Sequence, residues 1–199
     1  MCLNKNTMSR EKILSAILQN QPVLTPLPSL EGLNQSTHDP SVQFKNVLQS
    51  IGGEAVEVAD YQAIEAFIEQ HYKPNCRVTT TLPDLSNIAE TDWQNTDPHD
   101  LESVELLIIR AHFGVAENGS VWVTEDLMGQ RVAPFICPNL AVVLDKNNIV
   151  PTMHEAYERI GTADYGFGVF IAGPSKTADI EQSLVLGAHG SKSMVVFLM

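Results

Sequence analysis

A strand-like segment near the middle of the chain limits the possible folds more than any other feature. It spans residues 104–111 and contains a continuous run of four aliphatic residues, Leu106-Leu107-Ile108-Ile109. A strand that is apolar on both faces must be covered on both faces, so the run predicts a central strand between two layers. Residues 120–124 are predicted to be its hairpin partner, because Asn118-Gly119 between the two segments is a strong turn signal.

Strand-like and helix-like segments alternate along the rest of the chain. The other predicted strands span residues 55–58, 77–80, 140–144, 168–172 and 193–198. The predicted helices begin near Ser9, at Asp39-Pro40, at Tyr61, at the capping box Thr152-Met153-His154-Glu155 and at residue 178, the last one ending at residue 186. The alternation predicts an α/β fold with one mixed, partly parallel sheet flanked by helices.

The N-terminal part of the chain differs from the rest in composition. A predicted helix is followed, over residues 20–40, by a segment with four prolines, Pro22, Pro26, Pro28 and Pro40, which favours an extended conformation. Residues 1–40 are therefore predicted to be a helical arm, and residues 41–199 a single α/β domain with a core of its own.

The charge of the chain excludes some classes of partner. The net charge is −12 and the pI about 4.8, which argues against binding to nucleic acids or anionic membranes. Residues 84–126 contain ten acidic residues but only one lysine or arginine, Arg110. This stretch is interpreted as a solvated acidic face or as a docking surface for a basic partner. No apolar stretch approaches the ~18 residues of a membrane span, and no signal peptide pattern is present.

Three widely separated cysteines, Cys2, Cys76 and Cys137, indicate a reducing compartment, and a cytoplasmic protein without disulfides is expected. An iron–sulfur cluster held by this chain alone is not expected, because such clusters usually need about four clustered thiolates. The histidines lack metal-binding spacings, and neither a phosphate loop nor a Rossmann fingerprint occurs. No metal or cofactor is therefore predicted.

The turn Gly173-Pro174-Ser175-Lys176-Thr177 is the strongest candidate for a binding site. It follows a predicted strand and precedes the predicted helix 178–186, so it would combine backbone N–H groups, hydroxyls and a lysine at a helix N-terminus, which suits an anion. On that helix Glu181 falls near the centre of the apolar stripe. The position predicts a partly buried carboxylate, with a catalytic role or a structural ion pair as alternatives.

Loops that follow parallel strands meet at one sheet edge, and this rule predicts a shared site. The candidate catalytic carboxylates are Glu117 and Glu181. The predicted ligand-binding residues are Arg110, His112, Asn118, Gly173, Ser175, Lys176 and Thr177. Arg110 would be the counter-charge of the carboxylates.

His189 is predicted to lie outside this site. A helix over residues 178–186 would be ~14 Å long and would place His189 near the opposite edge of the sheet from Ser175. A role in capping the end of the helix is favoured over a separate site or an interface.

The C-terminal residues resemble a known family signature. Residues 172–181 followed by Leu184-Val185-Leu186-Gly187-Ala188-His189-Gly190 are similar to the C-terminal motif of the LUD-domain family of lactate utilization proteins, in particular the C type. The segments 114–120 and 149–151 also match, so that the resemblance covers roughly residues 42–199. It implies a fold like that of CoA transferases and ribose-5-phosphate isomerase.

The resemblance also implies a role in a multi-component system that oxidises L-lactate to pyruvate and whose iron–sulfur clusters are held by partner subunits. Two alternatives stay open. Glu117-Asn118-Gly119 resembles the turn that carries the nucleophilic glutamate of CoA transferases, and Ser175-Lys176-Thr177 could bind a small phosphate or carboxylate.

Overall fold

The computed structural model describes residues 5–26, 28, 39–177 and 185–199. The chain divides into two compact units, residues 1–33 and residues 34–199. In the first unit, helix α1 (Lys5–Gln19) exposes the apolar side chains of Ile13, Leu14, Ile17 and Leu18. Across the described residues, every helix is too short or too polar to span a lipid bilayer.

The second unit contains the remaining elements. Its helices are α2 (Pro40–Ser50), α3 (Tyr61–His71), α4 (Glu125–Met128), α5 (Ala133–Ile136) and α6 (Met153–Ile160). Its strands are β1 (Glu54–Glu57), β2 (Val78–Thr80), β3 (Leu106–Arg110), β4 (Phe113–Val115), β5 (Ser120–Thr124), β6 (Asn139–Leu144), β7 (Ile149–Val150), β8 (Gly168–Ile171), β9 (Lys176–Thr177), β10 (Val185–Leu186) and β11 (Ser193–Leu198). The sequence therefore predicted the α/β class correctly.

Five strands form a parallel sheet in the order β1-β11-β6-β3-β2. Strand β3 lies in its interior and is buried on both faces. Leu107 and Ile109 belong to one core cluster, and Leu106 and Ile108 to the cluster on the other side. The prediction of a central strand covered by two layers is confirmed, and its physical basis is the alternation of side chains across a strand.

A second, mixed sheet has the order β7-β4-β5-β8, so the prediction of one mixed sheet is wrong. The hairpin turn at Asn118-Gly119 forms as predicted, but it joins β5 to β4 rather than to β3. Between β3 and β4 the backbone N–H of Ala111 still donates to Val143 in the parallel sheet, whereas that of His112 donates to Trp122 in the mixed sheet. The chain therefore changes sheets between these two residues.

In the described part of the chain, the layers enclose three hydrophobic clusters. The largest lies between the two sheets and includes Phe44 and Leu48 of α2. Helix α3 covers the outer face of the parallel sheet with Ile64 and Ile68. Helix α6 covers the far face of the mixed sheet, where Ala156 packs in a cluster with aromatic side chains of β4 and β5. Burial of apolar surface on both faces of each sheet contributes most of the favourable free energy of such a fold.

The predicted helix 178–186 lies mostly outside the described residues, and only its last two residues and the residues that precede it can be compared with the structure. Residues Lys176–Thr177 form β9, which pairs antiparallel with β10, Val185–Leu186. The turn after β8 therefore enters a short strand, and the prediction that residues 185 and 186 are helical is wrong. Glu181 belongs to the part of the segment that the structure does not describe.

Candidate functional site

A cleft with a volume of about 550 Å³ lies where the turn after β8 meets the turn before β11. Its polar and glycine lining comprises Asn118, Gly173, Ser175, Lys176, His189, Gly190 and Ser191. Its apolar lining includes Ile51, Pro134, Phe135 and Phe170. The cleft thus contains four of the predicted ligand-binding residues, Asn118, Gly173, Ser175 and Lys176, together with His189, which was predicted to lie elsewhere.

Backbone hydrogen bonds hold the two turns together. The N–H of Ser175 donates to the carbonyl oxygen of Ser191 at 2.8 Å, and the N–H of Gly187 donates to the carbonyl oxygen of Ser175 at 3.0 Å. A Cβ atom on Gly190 would lie 3.1 Å from the Cβ of Ser175, which is tighter than an ordinary van der Waals contact, so the close approach of the two turns favours a residue without a side chain. The β9–β10 pair reverses the chain, and His189 returns to the Ser175 cleft instead of the opposite sheet edge.

The floor of the cleft packs against the end of α2. Gly173 has a φ of +68°, and a Cβ atom there would lie 3.1 Å from Cγ1 of Ile51. Pro174 is buried, whereas Lys176 is exposed. The Nζ atom of Lys176 lies 3.4 Å from the position that a Cβ atom would take on Gly52. An ammonium group next to the C-terminal end of a helix is favourably placed with respect to the helix dipole.

The charges around the cleft favour an anion. Lys176 and His189 line it, whereas no acidic side chain does so among the residues that the structure describes. This distribution is unusual for a chain with a net charge of −12. A lysine ammonium in a cleft attracts anions even when the net charge of the protein is negative.

Glu117 and Asn118 have structural partners. The carboxylate of Glu117 accepts a hydrogen bond of 2.7 Å from the backbone N–H of Met153, the first residue of α6. The side-chain oxygen of Asn118 accepts from the N–H and the hydroxyl of Ser120, at 3.0 and 2.7 Å, and so fixes the β4–β5 turn. Asn118 lines the cleft, but the exposed Glu117 is not among its lining residues. A catalytic role for Glu117 stays a prediction.

Arg110 and His112 are not brought to the Ser175 cleft. Arg110 was predicted to pair with the carboxylates of the site. Its guanidinium instead donates a hydrogen bond to the hydroxyl of Tyr61. His112 lies beside Thr124, with its Nε2 atom 2.5 Å from the hydroxyl oxygen. The cause is topological. Arg110 ends β3, which belongs to a different sheet from β8. His112 directly precedes β4 of the mixed sheet, and its neighbour Thr124 pairs with Gly168 at the start of β8 rather than with its carboxyl end.

The two remaining predicted site residues are Thr177 and Glu181. Thr177 pairs with Val185 in the β9–β10 ladder and is not among the lining residues of the cleft. Glu181 lies outside the described residues. The sequence interpretation missed Phe135, whose side chain is 40% exposed, and Ser191. The Gly187–Gly190 segment signalled a turn that includes His189, but no pattern identified Phe135 as a neighbour of this turn.

The fold and the site define a class of protein: an α/β domain whose C-terminal glycine-containing turns form a cleft suited to an anion. Within this class the chain belongs to the LUD-domain family, because the sequence model of the LUD domain matches residues 95–199. The family resemblance carried by residues 172–190 is thus confirmed.

Relatives with the name lactate utilization protein C align with part of the chain. The protein from Bacillus pumilus is 31% identical over 124 residues, which is 56% of this chain and 51% of the relative. The protein from Anoxybacillus flavithermus is 33% identical over 107 residues, 49% of this chain and 47% of the relative. The chain spans about half the length of the curated relatives it matches.

A solved structure shares the fold. The crystal structure of a DUF162 family protein from Deinococcus radiodurans superimposes with a TM-score of 0.61 at 13% sequence identity. The similarity covers 82% of this chain and 98% of the Deinococcus chain. At this level of identity the comparison supports the arrangement of the α/β layers and carries no functional conclusion.

Proposed function

We propose that this protein is a component of a system that oxidises L-lactate to pyruvate and whose iron–sulfur clusters are held by partner subunits. The observation that carries the proposal is its membership of the LUD-domain family, with relatives named lactate utilization protein C. The state of Cys137 agrees with the proposal. Its side chain is 1% exposed and burial raises the pKa of its thiol to about 11, so that it is poorly suited to bind a cluster as a thiolate.

Two surfaces are candidates for contact with such partners. Helix α1 exposes an apolar stripe that includes Ile13 and Leu18, which are 57% and 69% exposed. The acidic segment between residues 84 and 105 exposes carboxylates, among them Asp92 and Glu102. An acidic surface would steer a basic partner towards this chain and increase the rate of association.

Co-purification tests the proposal. The tagged protein, expressed in its native host during growth on lactate, should retain cysteine-rich subunits that contain iron and sulfur. The charge reversal D92K/E102K should weaken retention, whereas the control E69K/E158K changes the net charge equally on other exposed positions. Normal growth on lactate after deletion of the gene would contradict the proposal.

The cleft supports a second candidate function, the binding of a small anion. Lys176 and His189 line it, Ser175 and Asn118 supply polar groups, and no acidic side chain lines it in the described part of the chain. A carboxylate or a phosphate fits this chemistry, because both accept hydrogen bonds from an ammonium group and from the N–H of an imidazole ring.

Titration with phosphate and with pyruvate tests the anion site. Replacement of Lys176 by alanine should weaken binding about tenfold, equivalent to about 1.4 kcal/mol. Lys192→Ala is the matched control, because Lys192 is also exposed but does not line the cleft. Equal affinities of the two variants would contradict anion binding at Lys176. The proposed role in lactate oxidation would not depend on this result.

A further inference from the structure

A chain of polar contacts forms where the backbone passes from the parallel to the mixed sheet. The Nε2 atom of His112 lies 2.5 Å from Oγ1 of Thr124, and the hydroxyl of Thr124 donates to the carboxylate of Asp126. The distance between Nε2 of His112 and the nearest carboxylate oxygen of Asp126 is 4.0 Å. Thr124 therefore lies between an imidazole and a carboxylate and contacts both.

The direction of these hydrogen bonds determines the tautomer of His112. An ionised carboxylate only accepts hydrogen bonds, so the hydroxyl hydrogen of Thr124 must point to Asp126. The oxygen of Thr124 is then an acceptor towards His112, and Nε2 must carry a hydrogen. In the neutral ring Nδ1 is left with a lone pair, and no group in the described part of the chain is hydrogen-bonded to it.

His112 borders a cavity of about 560 Å³ on the far face of the mixed sheet. Phe113, Trp122 and Tyr165 provide its aromatic lining. The side chain of His112 is 40% exposed, so a ligand can reach the ring. The cavity thus combines an apolar wall with an imidazole ring whose tautomer is fixed, and small-molecule sites commonly combine apolar walls with a few placed polar groups.

The charges around this cavity disfavour an anion. Its charged lining comprises Glu125, Asp126, Asp164 and Arg159. The carboxylate of Glu125 accepts a 2.5 Å hydrogen bond from Arg131, and the guanidinium of Arg159 donates to Asn148 and lies 5.1 Å from the centre of the Phe113 ring. Asp164 has no ion-pair partner among the described residues.

His112 also lines a neighbouring cavity that has one positive and one negative side chain, Arg110 and Asp145. These two charges offset each other in the surroundings of the ring. The excess of carboxylates in the aromatic cavity therefore determines which ligands are favoured near His112.

We propose that this aromatic cavity is a binding site for a small neutral or cationic molecule that donates a hydrogen bond from a hydroxyl or amino group to Nδ1 of His112. Thr124 and Asp126 are positioning residues that hold the ring in the required tautomer. The site differs from the Ser175 cleft in its lining residues and in the charge of the ligand that it favours.

Nitrogen-15 NMR of the imidazole rings tests the assigned tautomer. In the neutral state of His112 the hydrogen should be on Nε2. Thr124→Val keeps the shape of the side chain and suits a strand, but it removes the hydroxyl. The ring should then relax from a single tautomer to the mixture of a free imidazole, in which the Nε2–H form is still the major one but the Nδ1–H form is also populated. Thr124→Ser retains the hydroxyl and should preserve the single tautomer. A wild-type ring with its hydrogen on Nδ1, or the same tautomer populations in the wild type and in Thr124→Val, would overturn the proposal.

Three probes of similar shape test the ligand class: benzyl alcohol, benzylamine and benzoate. The first two should shift the indole resonance of Trp122, whereas benzoate should bind at least several-fold more weakly. Trp93 is the internal control, because its indole is 1% exposed and donates to the backbone of Thr80. His112→Phe should weaken the binding of benzyl alcohol and benzylamine. Equal or tighter binding of benzoate, or no binding of any probe, would overturn the proposal.

Discussion

The backbone N–H of Ser175 donates a 2.8 Å hydrogen bond to the carbonyl oxygen of Ser191, and this contact joins two turns that are distant in sequence. One turn follows β8 and carries Lys176, and the other precedes β11 and carries His189. The cleft exists because these turns are paired. The affinity for anions that we propose for it should therefore depend on the packing of the glycines beneath it as well as on its charged side chains.

Gly173→Ala should destabilise the fold by about 2 kcal/mol, because a residue with a side chain at positive φ is strained. The new Cβ atom would also lie 3.1 Å from Cγ1 and 3.2 Å from the carbonyl oxygen of Ile51. The free energy of unfolding, obtained from urea denaturation, measures the effect.

A double-mutant cycle with Ile51→Ala separates the two causes. Removal of the Ile51 side chain should reduce the cost of Gly173→Ala by roughly 1 kcal/mol, because the steric part of the penalty is relieved. Additive effects within about 0.5 kcal/mol would show that the contact with the Ile51 side chain does not contribute to the penalty.

Glu117→Ala should lower the free energy of unfolding by about 1 kcal/mol, because it removes the carboxylate that accepts from Met153 at the start of α6. Glu117→Gln keeps an acceptor oxygen and should lose less. Thr152→Ala is the control at the same helix end, since its hydroxyl oxygen accepts from Glu155 at 3.3 Å. Unchanged stability of Glu117→Ala would contradict the capping role.

A search for a covalent adduct on the Glu117 carboxylate tests the CoA-transferase alternative. If Glu117 were a nucleophile, incubation with acyl-CoA should give a covalent adduct at this residue that hydroxylamine cleaves. We expect no adduct, because the carboxylate is occupied as a helix cap. A modified Glu117 peptide in the wild-type protein, absent from Glu117→Gln, would contradict this expectation.

Cys137 should make the protein less stable at alkaline pH. Burial raises the pKa of its thiol from 9.0 to about 11. Between these values the unfolded chain loses the thiol proton while the folded chain keeps it. The free energy of unfolding should therefore fall as the pH rises from about 9 to about 11, by roughly 2–3 kcal/mol, with no contribution from this group below pH ~9.

The variant Cys137→Ala lacks this contribution, although it will be less stable overall because a buried side chain is truncated. The quantity to compare is the change in unfolding free energy between about pH 8.5 and pH 10.5, measured by urea denaturation of both proteins. Other alkaline titrations, such as that of Tyr72, whose pKa burial also raises, largely cancel in the difference. Identical changes in the two proteins would contradict the prediction.

Local sequence patterns predicted the elements well. The helix from Tyr61 and the strand Ser120–Thr124 occur as expected, and Thr152 caps α6 through its hydroxyl. These features depend on side-chain periodicity and on capping groups within a few residues, and both can be read from a short stretch of sequence. The family signature is likewise a short continuous stretch, residues 172–190, so it could be recognised without knowledge of the tertiary structure.

The candidate site was predicted less completely. The turn residues Gly173, Ser175 and Lys176 do line one cleft, but Arg110 and His112 do not join them. The sequence could not show that the chain changes sheets between Ala111 and His112, because strand pairing is decided by packing between distant segments.

The sequence by itself determined that β3 is a strand covered on both faces, since its continuous aliphatic run has no polar side to expose. It also determined the α/β class and the family. Only the tertiary structure decided that β3 and β8 belong to different sheets and that the β9–β10 reversal returns His189 to Ser175. The physical reason is that burial and capping are local requirements, whereas strand partners are selected by the combined packing of the whole core.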